Sequence, residues 1–144
     1  MLIIKKIDMS TSRGIRNCNP LNIRRNSTDW QGLRSEQNDS AFFQFISMPY
    51  GYRAAIRTLV TYYNKYGLKT IRGIVSRWAP PSENNTENYI NVVAKRSGFS
   101  PDAEIDIYDA DTMVAIVSAM SFVENGVEAD ENEIRQGYLL AFAS

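Results

Sequence analysis

The sequence predicts a mainly α domain of the α+β class, with about five helices following a small β-hairpin near the N-terminus. Three observations predict it. Past Gly51, apolar residues recur at helical spacing. Helix stops close these recurrences at Gly67, Pro80-Pro81, Gly98 and Gly126. Upstream, residues 21–24 and 41–46 are short β-prone runs separated by polar, turn-rich chain.

Residues 1–12 read as a leader, and 13–144 as a single domain. The stretch 13–25 is rich in turn formers: Asn17, Asn19-Pro20 and Asn22. The two expected strands flank Trp30, Gly32 and the polar run 35–40. The first helix is expected over 52–66, where Ile56, Leu59, Val60 and Tyr63 share a face. A short second helix covers 70–78. A third covers 86–97, with Ile90, Val93 and Ala94 as its stripe. An acidic loop follows (Asp102, Glu104, Asp106). The fourth helix starts at Asp109 or Asp111, both good N-caps, and ends at Glu124. The fifth starts at Asp130, with Glu133 completing a capping box, and runs through Ile134, Tyr138 and Leu139.

Composition narrows the function. The 144 residues are 44% hydrophobic and 22% charged, as expected of a globular protein with a real core. The net charge of zero hides a polarity. Residues 1–78 hold 13 Lys/Arg against 4 Asp/Glu, and residues 79–144 hold 3 against 12. Such halves either attract each other or present a basic face to an anionic polymer. Cys18 is the only cysteine, which rules out an internal disulfide framework and fits synthesis in a reducing compartment. No run is long enough for a membrane span. The apolar triplet Leu2-Ile3-Ile4 before Lys5-Lys6 is too short for a secretory signal. The absence of histidine removes histidine-based catalysis and the usual His-containing zinc sites. The acids between 102 and 111 lack the glycine and terminal glutamate of a calcium loop. Neither metal nor cofactor is expected.

The sharpest chemical signal is Glu124. Met113, Ile116, Val117 and Met120 form one apolar stripe, and Glu124 is its next position, just before Asn125-Gly126. A carboxylate there faces the buried side, at the negative end of the helix dipole. Both effects penalise its ionised form, as suits a general acid. A terminal glutamate also commonly swings into water, and periodicity leaves that alternative open. Glu83 and Glu87, beside Trp78, are rival acids. At a helix start the dipole keeps them ionised, which suits a base or nucleophile better. Glu83 is the candidate second carboxylate.

A second constellation is Asn19-Pro-Leu-Asn-Ile-Arg24, then Trp30-Gln-Gly32, then Phe42-Phe-Gln-Phe45. Amides and aromatic faces are what a sugar cleft uses. The same residue types also cap turns and fill cores. Asn19, Asn22, Trp30 and Tyr62 are the expected cleft lining. The run Asn19 to Arg24 resembles the Asn-Leu-Phe-Gly-Ile-Lys segment of bacterial wall glucosaminidases, which have a lysozyme-like fold. Asn19, Ile23 and Arg24 match, whereas Pro20, Leu21 and Asn22 depart. The longer run from Arg13 to Val93, including residues 78–86, is similar to small phage and prophage lysozyme-like proteins. In glucosaminidases and lytic transglycosylases the catalytic glutamate ends a helix before this segment. Here no glutamate precedes Asn19, and the matching helix end is at Glu124. The resemblance therefore implies a circularly permuted lysozyme-like arrangement.

The expectation is a peptidoglycan-cleaving enzyme, a glycoside hydrolase or lytic transglycosylase of phage or prophage type. Glu124 is its general acid. Its partners are the glycan strands of the cell wall and other virion proteins, with no membrane partner. It is expected to be made in the bacterial cytoplasm, then carried by the virion or released to the wall. The alternative is a catalytically inactive virion or wall-binding protein of the same fold. A weaker alternative, nucleic-acid binding, rests on Arg13, Arg16, Arg24 and Arg25 with Trp30.

Overall fold

The computed structural model describes residues 11–143. Six helices carry them: α1 (Arg13–Arg16), α2 (Met48–Tyr66), α3 (Ile71–Trp78), α4 (Thr86–Ser97), α5 (Ala110–Asn125) and α6 (Glu131–Phe142). The leader reading of 1–12 lies largely outside the described residues. Its last residue belongs to the domain: Ser12 caps α1, its Oγ accepting from Ile15 N at 3.2 Å.

The four later helices sit where their stripes and stops predict. α2 begins earlier than expected, because Pro49 falls in its first turn, where a missing N–H costs nothing. Gly67, Gly98 and Gly126 each end a helix in the left-handed conformation. Asp109, and not Asp111, caps α5, accepting from Thr112 N at 3.0 Å. At α6 the side chain of the cap Asp130 accepts from Asn132 N, while Glu133 N donates to the Asp130 carbonyl.

The expected β-hairpin is not formed. Among the described residues, segments 21–24 and 41–46 make only isolated antiparallel bridges, Arg24↔Phe42 and Leu33↔Phe45. Two features prevent a ladder. Cys18 and Asn22 have left-handed φ of 49° and 54°, which breaks the extended run. Side chains also occupy backbone groups that a partner strand would use. The Asn19 amide donates to Ile23 O and Phe43 O and accepts from Ile23 N. Gln37 brackets Gln44 in the same way, and Asp39 accepts from the amides of Ala41 and Phe42. Asp39 is also held by a two-bond ion pair with Arg13, which pushes its carboxyl well below the usual range.

The main core lies between α2, α3, α4, α5 and α6. Tyr52, Ile56, Leu59, Ile74, Ile90, Met113, Ile116, Met120 and Ile134 are buried there. Each such side chain contributes about 1.5–3 kcal/mol relative to exposure. The buried Tyr52 hydroxyl meets Ser121 Oγ at 3.2 Å, joining α2 to α5 through a satisfied polar pair. A smaller apolar cluster of Phe43, Phe45 and Ala54 anchors the 17–46 segment on α2, with Trp30 and Tyr50 packed on its edge.

The structure brings the 12–22 segment and the end of α5 together. Asn125, the last residue of α5, donates to Pro20 O at 2.8 Å and accepts from Ser12 Oγ at 2.7 Å. The turn around Asn19–Asn22 therefore rests on the C-terminal end of α5. A cleft opens at that junction.

Candidate active site

Glu124 is the penultimate residue of α5, half-buried, and points into this cleft. Two hydrogen bonds fix its carboxyl group. Asn22 Nδ2 donates to Oε1 at 2.8 Å, across 102 residues of sequence. The Tyr89 hydroxyl, from α4, donates to Oε2 at 2.9 Å. Burial raises the Glu124 pKa above the usual glutamate value. The Asn22, Tyr89 and Trp78 side chains act in the opposite direction, by hydrogen bonding to the ionised form. The desolvation effect is the largest, so the proton is held to higher pH than in a free glutamate. Tyr89 is itself pushed well above the ordinary tyrosine value by burial and by the neighbouring carboxylate. It therefore stays a hydrogen-bond donor across the physiological range.

The cleft has two adjoining lobes that share Asn22, Arg24 and Trp78. The smaller, of about 160 Å³, holds Glu124, Glu83, Asn84 and Phe42. The larger, of about 260 Å³, is walled by Trp30, Tyr62, Thr58 and Asn26. Trp78 ends α3 and meets the Tyr62 ring edge-on, with centroids 6.1 Å apart. Arg77 lies over the Tyr62 ring at 5.1 Å and the Tyr66 ring at 3.8 Å, stiffening that rim. The Trp30 indole nitrogen and Asn22 Oδ1 are buried without a hydrogen-bond partner.

Of the residues singled out from the sequence, Glu124, Glu83, Asn22, Trp30 and Tyr62 all face this cleft. Asn19 does not. It is wholly buried, and its amide is spent on backbone groups, so its place is structural. Glu83 lies in the turn before α4 rather than in its first turn, so the helix-dipole argument applies to Glu87. Glu87 points elsewhere, pairing with Arg72 at 2.8 Å.

Tyr89 was not among the residues predicted from the sequence. Its signal was present, since it precedes Ile90 and lies four residues before Val93 on the buried side of α4. A buried hydroxyl requires a partner. The acidic loop is also accounted for. Asp102 pairs with Arg72, Asp106 accepts from Tyr108 N, and Asp109 caps α5. Among the described residues, no cluster of three or more His, Cys, Asp or Glu is arranged to hold a metal. No helix among them is long and apolar enough to cross a membrane.

No protein-family model matches the chain. It is 42% identical over 135 residues to Protein P5 of Pseudoalteromonas phage PM2, an alignment covering 91% of this chain and 82% of that protein. Identity at this level across nearly the whole of both chains comes from common descent, and the chain belongs to the family of this phage protein.

Proposed function

We propose that the protein cleaves the glycan strand of peptidoglycan, with Glu124 as general acid. The observation that carries this reading is the Glu124 carboxyl itself. It is half-buried, its pKa raised by burial, oriented by Asn22 and Tyr89, and open to a cleft with aromatic walls. Both oxygens accept hydrogen bonds from the protein, which leaves the carboxyl proton to be directed into the cleft.

In the reaction, that proton passes to the glycosidic oxygen as the C1–O bond breaks. Charge develops on the ring as an oxocarbenium ion. Water quenches it and releases a proton in a hydrolase. In a lytic transglycosylase the 6-hydroxyl of the same muramic residue closes on C1 instead and gives its proton to the Glu124 carboxylate, so no water is consumed. Glu83 lines the same small lobe and is the candidate base for an attacking water. Trp30, Tyr62 and Trp78 supply flat apolar faces for sugar rings.

The lysozyme-like, circularly permuted arrangement belongs to this reading. Its support is the packing of the α5 end against the Asn19–Asn22 turn, although the two are more than a hundred residues apart in the chain. A phage relative fits a protein carried by the virion or released to the wall, and other virion proteins are the further partners. The test is incubation of wild type and Glu124→Gln with bacterial peptidoglycan, followed by mass spectrometry. Wild type yields shortened glycans, and product masses separate hydrolysis from anhydro-sugar formation. The Gln variant is expected to lose at least about a hundredfold in rate while remaining folded, the scale of general-acid catalysis. Equal cleavage by a folded Gln variant removes Glu124 from the mechanism. Wall binding without cleavage by the wild type identifies an inactive wall-binding protein.

A further inference from the structure

Arg24 stands at the boundary of the two lobes and lines both. Its backbone is fixed by the bridge to Phe42, and its guanidinium lies 5.3 Å from the Phe42 ring centroid. Two neighbouring arginines are already engaged. Arg13 shares the Phe42 ring at 4.7 Å, but its charge is matched by Asp39 at 2.6 Å. Arg25 donates to Asp39 O at 2.7 Å. The ion pairs of the described residues involve Arg13, Arg72, Arg96 and Arg135, and none involves Arg24. An exposed, pre-positioned fork of donors without a carboxylate thus faces the cleft.

We infer that Arg24 is a specificity-determining residue that binds a carboxylate carried by the glycan, selecting acid-bearing amino-sugar strands over neutral ones. The inference rests on the glycan-cleaving reading above. A planar guanidinium matches a carboxylate through two parallel hydrogen bonds, and stacking on Phe42 limits the freedom lost on binding. The acids facing the same region are Glu124 and Glu83, both in the smaller lobe. With Glu124 protonated in the proposed reaction, Glu83 is the carboxylate that disfavours an anion deeper in that lobe, which leaves the lobe boundary as its place. Two sources supply the same chemistry in peptidoglycan: the lactyl carboxylate of a peptide-free muramic residue and the carboxylates of the stem peptide.

The test is calorimetric binding in the Glu124→Gln background, so that no probe is cleaved. Three tetrasaccharide probes are used: a neutral N-acetylglucosamine oligomer, a peptide-free glucosamine–muramic strand with free lactyl groups, and the same strand with stem peptides. An acid-bearing probe is expected to bind about tenfold tighter than the neutral one at low salt. Adding Arg24→Gln should reduce that advantage to about twofold, and Arg24→Lys should restore part of it. Whichever acid-bearing probe carries the advantage identifies the lactyl or the peptide carboxylate as the ligand. No acid preference, or a preference that survives Arg24→Gln, overturns the assignment while leaving glycan recognition intact. Equal weakening of all three probes shows Arg24 to be a plain cleft wall and also overturns it. If no probe binds the Glu124→Gln protein, the glycan reading itself fails and this inference with it.

Discussion

At the scale of single residues, Glu124 carries opposed demands. Burial that raises its pKa, as the proposed general-acid role requires, also costs stability once the proton leaves. Because its pKa is raised in the fold, the native state binds more protons than the unfolded chain in the window above the usual glutamate value. Stability therefore falls as pH rises through that window, and the full cost remains above it. Glu124→Gln cannot ionise. Its melting temperature relative to wild type should rise from acid to neutral pH, and thermal scans across that range check this. A difference independent of pH would refute the buried-acid account. Tyr89 provides a second lever. Its hydroxyl favours the ionised carboxylate, so Tyr89→Phe should raise the Glu124 pKa further. A general acid works only while protonated. Under the proposed function, the high-pH limb of the cleavage profile should therefore move upward in the Phe variant. A downward or absent shift in kcat/KM against pH contradicts the assignment.

At the scale of elements, backbone segments approach closely at a few glycines. Gly137 in α6 faces α2, where an added Cβ would lie 2.7 Å from Tyr52 Cβ and 2.9 Å from Pro49 O. Tyr52 in turn holds Ser121 of α5, the helix that ends in Glu124. Gly137→Ala gains helix propensity yet forces backbone apart, and close packing makes the second effect dominant. The expected result is a destabilisation of about 1–3 kcal/mol, read by denaturant unfolding. An unchanged midpoint would show that the α2–α6 crossing relaxes freely. Gly14 plays a similar part under the site. A Cβ there would lie 2.5 Å from Asn125 Oδ1 and 3.1 Å from Asn22 Oδ1, the two amides that join α1, the turn and α5.

At the scale of the whole molecule, the charge polarity of the sequence is only partly spent on internal pairing. Among the described residues, Arg72 alone links the two halves, through Glu87 and Asp102. Arg13–Asp39 lies within the basic half, and Arg96–Glu128 and Arg135–Asp111 within the acidic one. The 13–46 segment, whose Arg24 lines the cleft, carries Arg13, Arg16, Arg24, Arg25 and Arg34, of which Arg13 is matched by Asp39. Such an excess of cations draws an acidic polymer over distances that salt screens, since the Debye length falls from about 10 Å at 0.1 M to about 3 Å at 1 M. On the proposed glycan-cleaving reading, cleavage should therefore slow as salt rises over that range. The melting temperature should move little, because exposed ion pairs contribute little. Rates independent of salt would argue against electrostatic capture of the wall.

The helices, and the place of Glu124 on the inward side of a helix end, were legible in the sequence by itself. Period-3.6 stripes, capping residues and stop glycines are local signals, and Glu124 stood out as a carboxylate at a stripe's end. What the sequence could not determine was how segments 13–46 would pair. Extended runs look alike whether their backbone partners are strands or side chains, and here Asn19, Gln37 and Asp39 took the hydrogen bonds that a hairpin would have used. The same contacts moved Asn19 from the expected cleft lining into the core. Only tertiary structure decided that Asn22 and Tyr89 would grip Glu124, since those contacts join α4, α5 and an N-terminal turn far apart in the chain. Local periodicity tells which face of a helix is buried. Which polar group waits on the other side depends on how the helices cross, and that is set by packing across the whole core.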